Sequence, residues 1–291
     1  MPKLNLTSES ILVAAQRLPS APRAFGALET ILRDPDVAID AVVDVVRVDT
    51  SLAARVIRVA NSAIFRRGSP ATNLDEAIGR IGLREIHRLV GAAVAEQLFA
   101  VGLPLYGISG DELWVNAVAS ALAAEQLALF SGYDPRQAYT VGILRSTGRM
   151  LLQRMAPDAA LAPGSGARQN GKLTRSWEVE TFGTNADEIG ARLLKLWDFP
   201  AATTEALRYA HQPETDPARR PGAALLHLAA WVTDTLGKGL KVETEQWTLR
   251  PAVLAQAELD EERVQSAVPD TREALNRTIA ALRPPAQNRA A

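Results

Sequence analysis

The sequence holds no cysteine among its 291 residues. That absence excludes disulfides, thiolate-bound zinc and cysteine nucleophiles together. Aromatic side chains make up only 5% of the chain, and sustained period-2 alternation is hard to find, so strand signals are scarce. Histidine is scarce as well: His87, His211 and His227 are the three in the chain, with no His-x3-His or His-Glu-x-x-His spacing. A metal held by His and carboxylate needs several ligands converging at about 2.0–2.2 Å. Three dispersed histidines could supply that only with acids on facing helices. An excess of one charge is also missing, since 32 basic and 33 acidic residues leave a formal net charge of -1. No global field draws the chain to nucleic acid or to an acidic membrane, and such contact would need a local patch.

Long apolar runs are few. After Met1 to Ser10 comes only a short one, Ile11 to Ala15, against the roughly 7–15 apolar residues of a signal peptide. The longest, Leu113 to Phe130, carries Asn116, Ser120, Glu125 and Gln126. Inside a bilayer those would cost a few kcal/mol. A buried core helix in a cytoplasmic protein is expected.

What is present is helical. Hydrophobic residues are 47% and charged residues 22%, the profile of a chain able to bury a substantial core. Pro22 to Arg33 reads as a helix stopped by Asp34-Pro35, because the residue before proline is pushed out of the α region. Val37 to Val48 follows. Asp49-Thr50-Ser51 then caps a helix in which Leu52, Val56, Val59, Ala60 and Ala63 recur at 3.6 spacing, with Arg55 and Arg58 opposite. Ile86, Leu89, Val90, Ala93, Val94 and Leu98 repeat the pattern.

The stretch Gly102 to Gly110, with three glycines and a proline, is taken as the seam between an N-terminal lobe (1–105) and a second lobe (106–240). A helical extension and tail (241–291) would follow. Leu113 to Phe130 is apolar nearly all round and should be central. Asp134-Pro135 opens a helix expected to run to about Met155, with proline in its favoured first position. Residues 156–173 read as a long surface loop. Further helices are expected at Asn185–Trp197, Ala201–His211, Gly222–Leu236 and Thr271–Leu282, before a disordered tail after Arg283. The fold class is all-α and two-lobed.

Particular residues then carry a resemblance. Leu18-Pro19, Asp34-Pro35, Asp49 before Ser51-Leu52-Ala53-Ala54-Arg55, Arg58 to Ala63 (with Asn61-Ser62-Ala63) and Asn73 to Arg84 resemble the N-terminal half of an HDOD domain. Trp114, Gly142 to Arg149, Phe182-Gly183 and Glu188-Ile189-Gly190 follow its second half, so the likeness covers roughly 15–235. The resemblance implies an HD-phosphohydrolase-like helical scaffold, whose catalytic relatives bind metals through His and Asp. Carried onto this chain, the early His position falls at or near Asn116, and the His-Asp pair falls on Arg145 and Ser146. A third ligand position falls on Ala186, the His-His pair on Ala210 and His211, and the late Asp on Ala230. Only His211 keeps a ligating side chain of the family's type, and a guanidinium at Arg145 would repel a cation. No metal, no cofactor and no catalytic residue are expected. Arg145 itself, if buried, must find an acidic partner or several carbonyls.

Other residues have plainer readings. His87, flanked by Arg84, Glu85 and Arg88, reads as a surface residue; His211 as a group favoured by a helix C-terminus; His227 as a hydrogen-bonded core histidine. Ser146, with no base at a recognisable spacing, reads as a small residue filling former metal space. Trp114, Trp177, Trp197 and Trp231 read as core anchors. Between Arg47 and Arg88, eight arginines (47, 55, 58, 66, 67, 80, 84, 88) face four acids (Asp49, Asp75, Glu76, Glu85). That excess is either a solvated helix face or an anion or partner surface.

The resemblance implies a non-catalytic bacterial signalling adaptor in two-component or cyclic-di-GMP circuits. It would bind a sensor kinase, a response regulator or a cyclic-di-nucleotide enzyme, with nucleic acid and membrane not expected as partners. Arg55, Arg58, Asn61, Phe65, Arg66 and Arg67 are the candidate docking residues, Phe65-Arg66-Arg67 combining types that interfaces favour. Two alternatives stand beside this reading. One is a nucleotide or nucleic-acid sensor using the pocket around Asn116, Arg145 and His211, where Arg145 would bind phosphate. The other is a divergent metal-dependent phosphohydrolase. The roughly 55 residues after position 235 are too few for a fused domain of ordinary size.

Overall fold

The computed structural model describes residues 8–16, 18, 21–34, 36–62, 64–66, 68–156, 161–165, 174–243 and 246–283. Among them there is no strand, only an isolated bridge between Leu103 and Ile108. The N-terminal elements are α1 (Ser8–Gln16), α2 (Ala21–Ile31), α3 (Ile39–Arg47), α4 (Thr50–Ala60), α5 (Leu74–Ile81) and α6 (Leu83–Phe99). Their starts follow local chemistry. Asp49 accepts the Ser51 and Leu52 amides at the start of α4, and Asn73 accepts the Glu76 amide at the start of α5, each satisfying orphan donors of a first turn. The face read from sequence on α4 is the one buried: Leu52, Val56, Val59 and Ala60 lie inside, while Arg58 is exposed.

The centre is α7 (Gly110–Ser131), begun by a capping box between Ser109 and Glu112 and ended by Gly132 in the left-handed conformation. It packs against α6, α8 (Pro135–Leu144), α13 (Pro221–Thr235) and α15 (Glu261–Leu282). Among the described helices α7 alone is long and apolar enough to cross a membrane, and 78% of its apolar window is buried inside the protein. Its Glu125 explains how a charge survives there: Arg84 Nε and Arg88 Nε each donate to the carboxylate at 2.7 Å. Close approach also needs glycine. A Cβ on Gly142 would lie 2.5 Å from Ala121 Cα, so no larger residue lets α8 lie against α7.

Between α6 and α7, Leu103, Leu105, Tyr106 and Ile108 are buried, and one apolar core runs from Ile11 to Leu282. Beyond α8 come α9 (Thr147–Met155), α10 (Thr174–Phe182), α11 (Ala186–Leu196), α12 (Ala201–Tyr209) and, after α13, the short α14 (Pro251–Gln256). The tail expected after Arg283 and most of the loop expected at 156–173 lie outside the described residues.

Three expectations need correction. The helix opened by Asp134-Pro135 does not reach Met155 unbroken; it stops at Arg145-Ser146 and restarts as α9. The bend brings Gly148 so near α11 that a Cβ there would lie 1.8 Å from the Ala186 carbonyl oxygen. The last helix begins at Glu261, capped by Asp260, and passes through Pro269; the proline masks the helical pattern before Thr271. His87 is not on the surface but 1% exposed. Its ring stacks on Phe25 at 5.1 Å, meets Tyr139 edge-on and places Nε2 3.2 Å from Thr140 Oγ1. Both flanking arginines are turned to Glu125, Arg88 largely buried and Arg84 still half exposed, so their charge does not mark His87 as a surface residue.

Burial holds the His87 imidazole down to about 3, with Arg136 and Arg88 adding repulsion, and burial brings His227 down to about 4. Unfolded, each ring binds a proton near pH 6.5. The unfolded chain therefore binds more protons as pH falls from about 6.5 toward 4, and stability declines across that window. Glu29, pushed up by burial and 4.0 Å from His87, works in the opposite sense. Urea midpoints measured at pH 7 and pH 4.5 should therefore fall in the wild type, and His87→Gln should show a shallower fall.

Candidate functional site

A cluster of buried charged side chains lies on the side of α7 facing the α8–α9 break. Arg145, the last residue before that break turns, donates through Nη1 to Asn116 Oδ1 at 2.8 Å and to Ser120 Oγ at 3.1 Å, both on α7. Its Nη2 pairs with Glu243. Arg149, one turn into α9, donates to the other oxygen of the same carboxylate and has Nε 3.4 Å from Glu178 Oε1. Glu178, on α10, also accepts the Tyr106 hydroxyl at 3.1 Å and the Ala186 amide at 2.8 Å. Two guanidiniums and two carboxylates are thus buried together, with Arg145 the most exposed of the four residues at 8%.

The pairing sets the protonation states. Burial alone would raise Glu243, but Arg145 and Arg149 overcome it and hold the carboxyl at about 2. Burial first, then the like charge of Asp187, leaves Glu178 raised, because Arg149 offsets only part of the desolvation. Trp247 closes the arrangement. Its indole N–H donates to Glu243 at 3.2 Å, its ring lies 4.3 Å from the His211 ring, and the Arg145 guanidinium sits 5.2 Å from its centroid.

Of the carried-over positions, Asn116, Arg145, Ala186 and His211 surround this cluster. His211 Nδ1 is 2.7 Å from Asp187 Oδ2, a partner the sequence did not suggest. Ala210 contributes its carbonyl to His227 Nδ1 at 2.9 Å, so His227 is the bonded core histidine expected. Ser146 Oγ is buried without a hydrogen-bond partner, and Ala230 adds apolar bulk inside α13. Arg149, Glu178, Glu243 and Trp247 were not singled out from sequence. Glu178 and Glu243 lie 29 and 94 residues from Arg149 in sequence, beyond the reach of any spacing rule; Arg149 stands four residues after Arg145, and that i,i+4 pairing was the one available signal.

A divalent metal does not fit these residues. Alanines at 186, 210 and 230 offer no side-chain lone pair, two guanidiniums occupy the space, and the nearest carboxylate is already bound at both oxygens by arginine. Among the described residues no group of three His, Asp or Glu side chains is placed to hold an ion.

The candidate docking residues lie apart, around the end of α4. Asn61 is engaged internally: its amide donates to the Ala71 carbonyl at 2.9 Å and accepts the Ala71 N–H at 2.7 Å. Arg55 is paired with Glu96, and Phe65 is half-buried against the core. Arg84 and Arg88 are bound to Glu125. Arg58 and Arg66 are exposed with no partner among the described residues, and Arg67 lies outside them.

Removing the charge of Glu243 should be costly, because it leaves two buried guanidiniums with one carboxylate between them. Glu243→Gln is expected to lower unfolding stability by about 3 kcal/mol or more at pH 7. Chemical denaturation at pH 7 checks this, and Gln246→Glu should not restore the loss.

The profile of the HDOD domain matches residues 18–213. An uncharacterized protein of Treponema pallidum is 22% identical over 200 residues, covering 67% of this chain but only 37% of the relative's own length. An HDOD domain protein of unknown function from Geobacter sulfurreducens has a solved structure that superposes with a TM-score of 0.68 at 20% identity, over 95% of this chain and 99% of that one. A protein of Marinobacter aquaeolei provisionally named a signal transduction protein gives 0.72 at 23% identity, over 96% of this chain and 67% of that one. A Shewanella amazonensis protein provisionally named a phosphohydrolase gives 0.67 at 23% identity, over 94% and 98%. With the all-helical scaffold and the matched span together, the chain belongs to the HDOD domain family.

Proposed function

We propose that this protein is a non-catalytic cytoplasmic signalling adaptor that acts by binding other proteins. The observation that carries the reading is the buried Arg145–Glu243–Arg149 arrangement, which fills the place of the metal site with two cations that cannot be deprotonated. A scaffold so altered keeps its shape and its surfaces while losing the groups that would activate water. The signal-transduction name of the Marinobacter protein of the same fold favours the reading; the phosphohydrolase name of the Shewanella protein defines the rival. A partner in two-component or cyclic-di-nucleotide signalling fits a family member of this kind.

The docking face we propose is the end of α4, where Arg58 and Arg66 leave two cations unmatched beside half-buried Phe65. Arginine and aromatic residues dominate interface hot spots, and a charge that no internal acid neutralises is free to meet one on a partner.

Two outcomes follow. Protein purified without chelator should carry well under one equivalent of manganese, iron, nickel or zinc by elemental analysis, and stoichiometric metal surviving dialysis would overturn the non-catalytic reading. Arg58→Glu with Arg66→Glu should leave stability within about 0.5 kcal/mol. The same pair should weaken capture of the cognate signalling partner at least tenfold, about 1.4 kcal/mol. Arg272→Glu with Arg277→Glu, on the exposed face of α15, is the matched control; an equal loss there would reduce the effect to net charge.

A further inference from the structure

Glu243 reaches its arginines from outside the span shared with the family, which ends at residue 213. It stands at the end of a short segment, 237–243, that leaves α13 through Gly237 in the left-handed conformation and closes with a single 3-10 turn at Lys241–Glu243. Only Leu240, Val242 and Glu243 of that segment are buried, while Lys238 and Lys241 are exposed. Beside it opens a cavity of about 650 Å³, walled by Tyr106, Ile108 and Val115 on one side and by Leu240 and Val242 on the other. The cavity is separated from the charged cluster by Tyr106, which donates to Glu178, and by Val242, the neighbour of Glu243, and its rim carries Asp111 and Glu112 as well as Lys238 and Lys241. The segment therefore lies as a strap between a roomy cavity and two guanidiniums.

Those guanidiniums are specific in what they ask for. Arg145 donates to one oxygen of the Glu243 carboxylate and Arg149 to the other, so two guanidiniums converge on one anion, as arginines do around phosphate. Glu243 is the only acid paired with Arg145 among the described residues, the other partners being the neutral Asn116 and Ser120. Glu178 cannot stand in for it, because it is already held by Tyr106 and the Ala186 amide. Well-packed apolar groups would stabilise such a core at least as well as a buried ion pair, so two arginines and a carboxylate point to selection for something other than stability.

We propose that Arg145 and Arg149 form a binding site for a phosphate group, that Glu243 is its internal occupant, and that an anion entering by the cavity displaces the 237–243 strap. This goes beyond the adaptor reading and does not depend on it, because the test involves neither a partner nor a metal. The site would report a phosphate-bearing ligand by changing the exposure of the strap.

The experiment is limited trypsin digestion of the full chain, following cleavage after Lys238 and Lys241 by mass spectrometry while inorganic phosphate or pyrophosphate is titrated to roughly 20 mM. Proteolysis of a transiently open segment tracks the open population. Cleavage at the strap is expected to accelerate at least about threefold and saturably, while cleavage after Arg272 and Arg277, inside α15, stays constant. Glu243→Gln should be cut at the strap quickly without anion and should bind pyrophosphate about tenfold more tightly by calorimetry, since nothing must be displaced. If that variant fails to fold, the wild-type titration decides alone. Strap cleavage indifferent to phosphate and pyrophosphate overturns the proposal. So does an acceleration matched by sodium chloride at equal ionic strength, which is mere screening, or one shared by the α15 sites, which is general loosening.

Discussion

One carboxylate shared by two arginines fixes the middle of this molecule. Without Glu243, Arg145 and Arg149 would be two like charges buried one helical turn apart with a single acid, Glu178, already engaged elsewhere. With it, every element around the α8–α9 break is tied to its neighbour. Asn116 holds Arg145 through its oxygen and the Lys238 carbonyl through its amide, so α7, the break and the 237–243 segment share one side chain. Glu178 extends the connection through Tyr106 to the turn before α7 and through the Ala186 amide to the start of α11. A buried charge is tolerable only when it is paired, and here Glu243 takes a donor from each arginine while Arg149 Nε lies 3.4 Å from Glu178 without a hydrogen bond.

The same constraint accounts for the small residues. Ala186 brings little side-chain bulk beside the cluster, and its amide is bound to Glu178. Gly148 lets the start of α9 touch the Ala186 carbonyl, so α9 and α11 approach until Arg149 can reach Glu178. The substitution is one of positive charge for positive charge, but a guanidinium brings fixed donor directions and no Lewis acidity.

Local chemistry was legible from the chain and remote pairing was not. The cap at Asp49 and the buried faces of α4 and α7 follow from residues a few positions apart, and each stands where the sequence puts it. The need of Arg145 for an acid was readable; which acid was not, since Glu243 lies 98 residues away. Trp247 was passed over because it sits in no periodic helix. His87 was misjudged because flanking charges were taken for a solvated face, when Arg84 and Arg88 point inward to a carboxylate on α7. In each case a buried acid supplied by a distant element reversed the meaning of a local pattern.

That reversal also separates the two ends of the molecule. Of the arginines clustered in the first ninety residues, those at 55, 84 and 88 are matched by Glu96 and Glu125. Glu96 receives Arg283 from the end of α15 as well, and the Arg283 guanidinium lies 4.0 Å from the Trp114 ring centroid. These arginines therefore bind α4 and the end of α15 to α6, and α6 to the central helix. Arg80 meets no described acid and binds the Ser69 carbonyl and Asn61, while Arg58 and Arg66 are exposed with no partner among the described residues. Physical connection between that face and the Arg145 cluster exists through α7, but connection alone is not coupling. Coupling requires an element with two arrangements, and the one we propose is the 237–243 segment, held by Glu243 on the arginines and by Asn116 and Thr174 on its carbonyls.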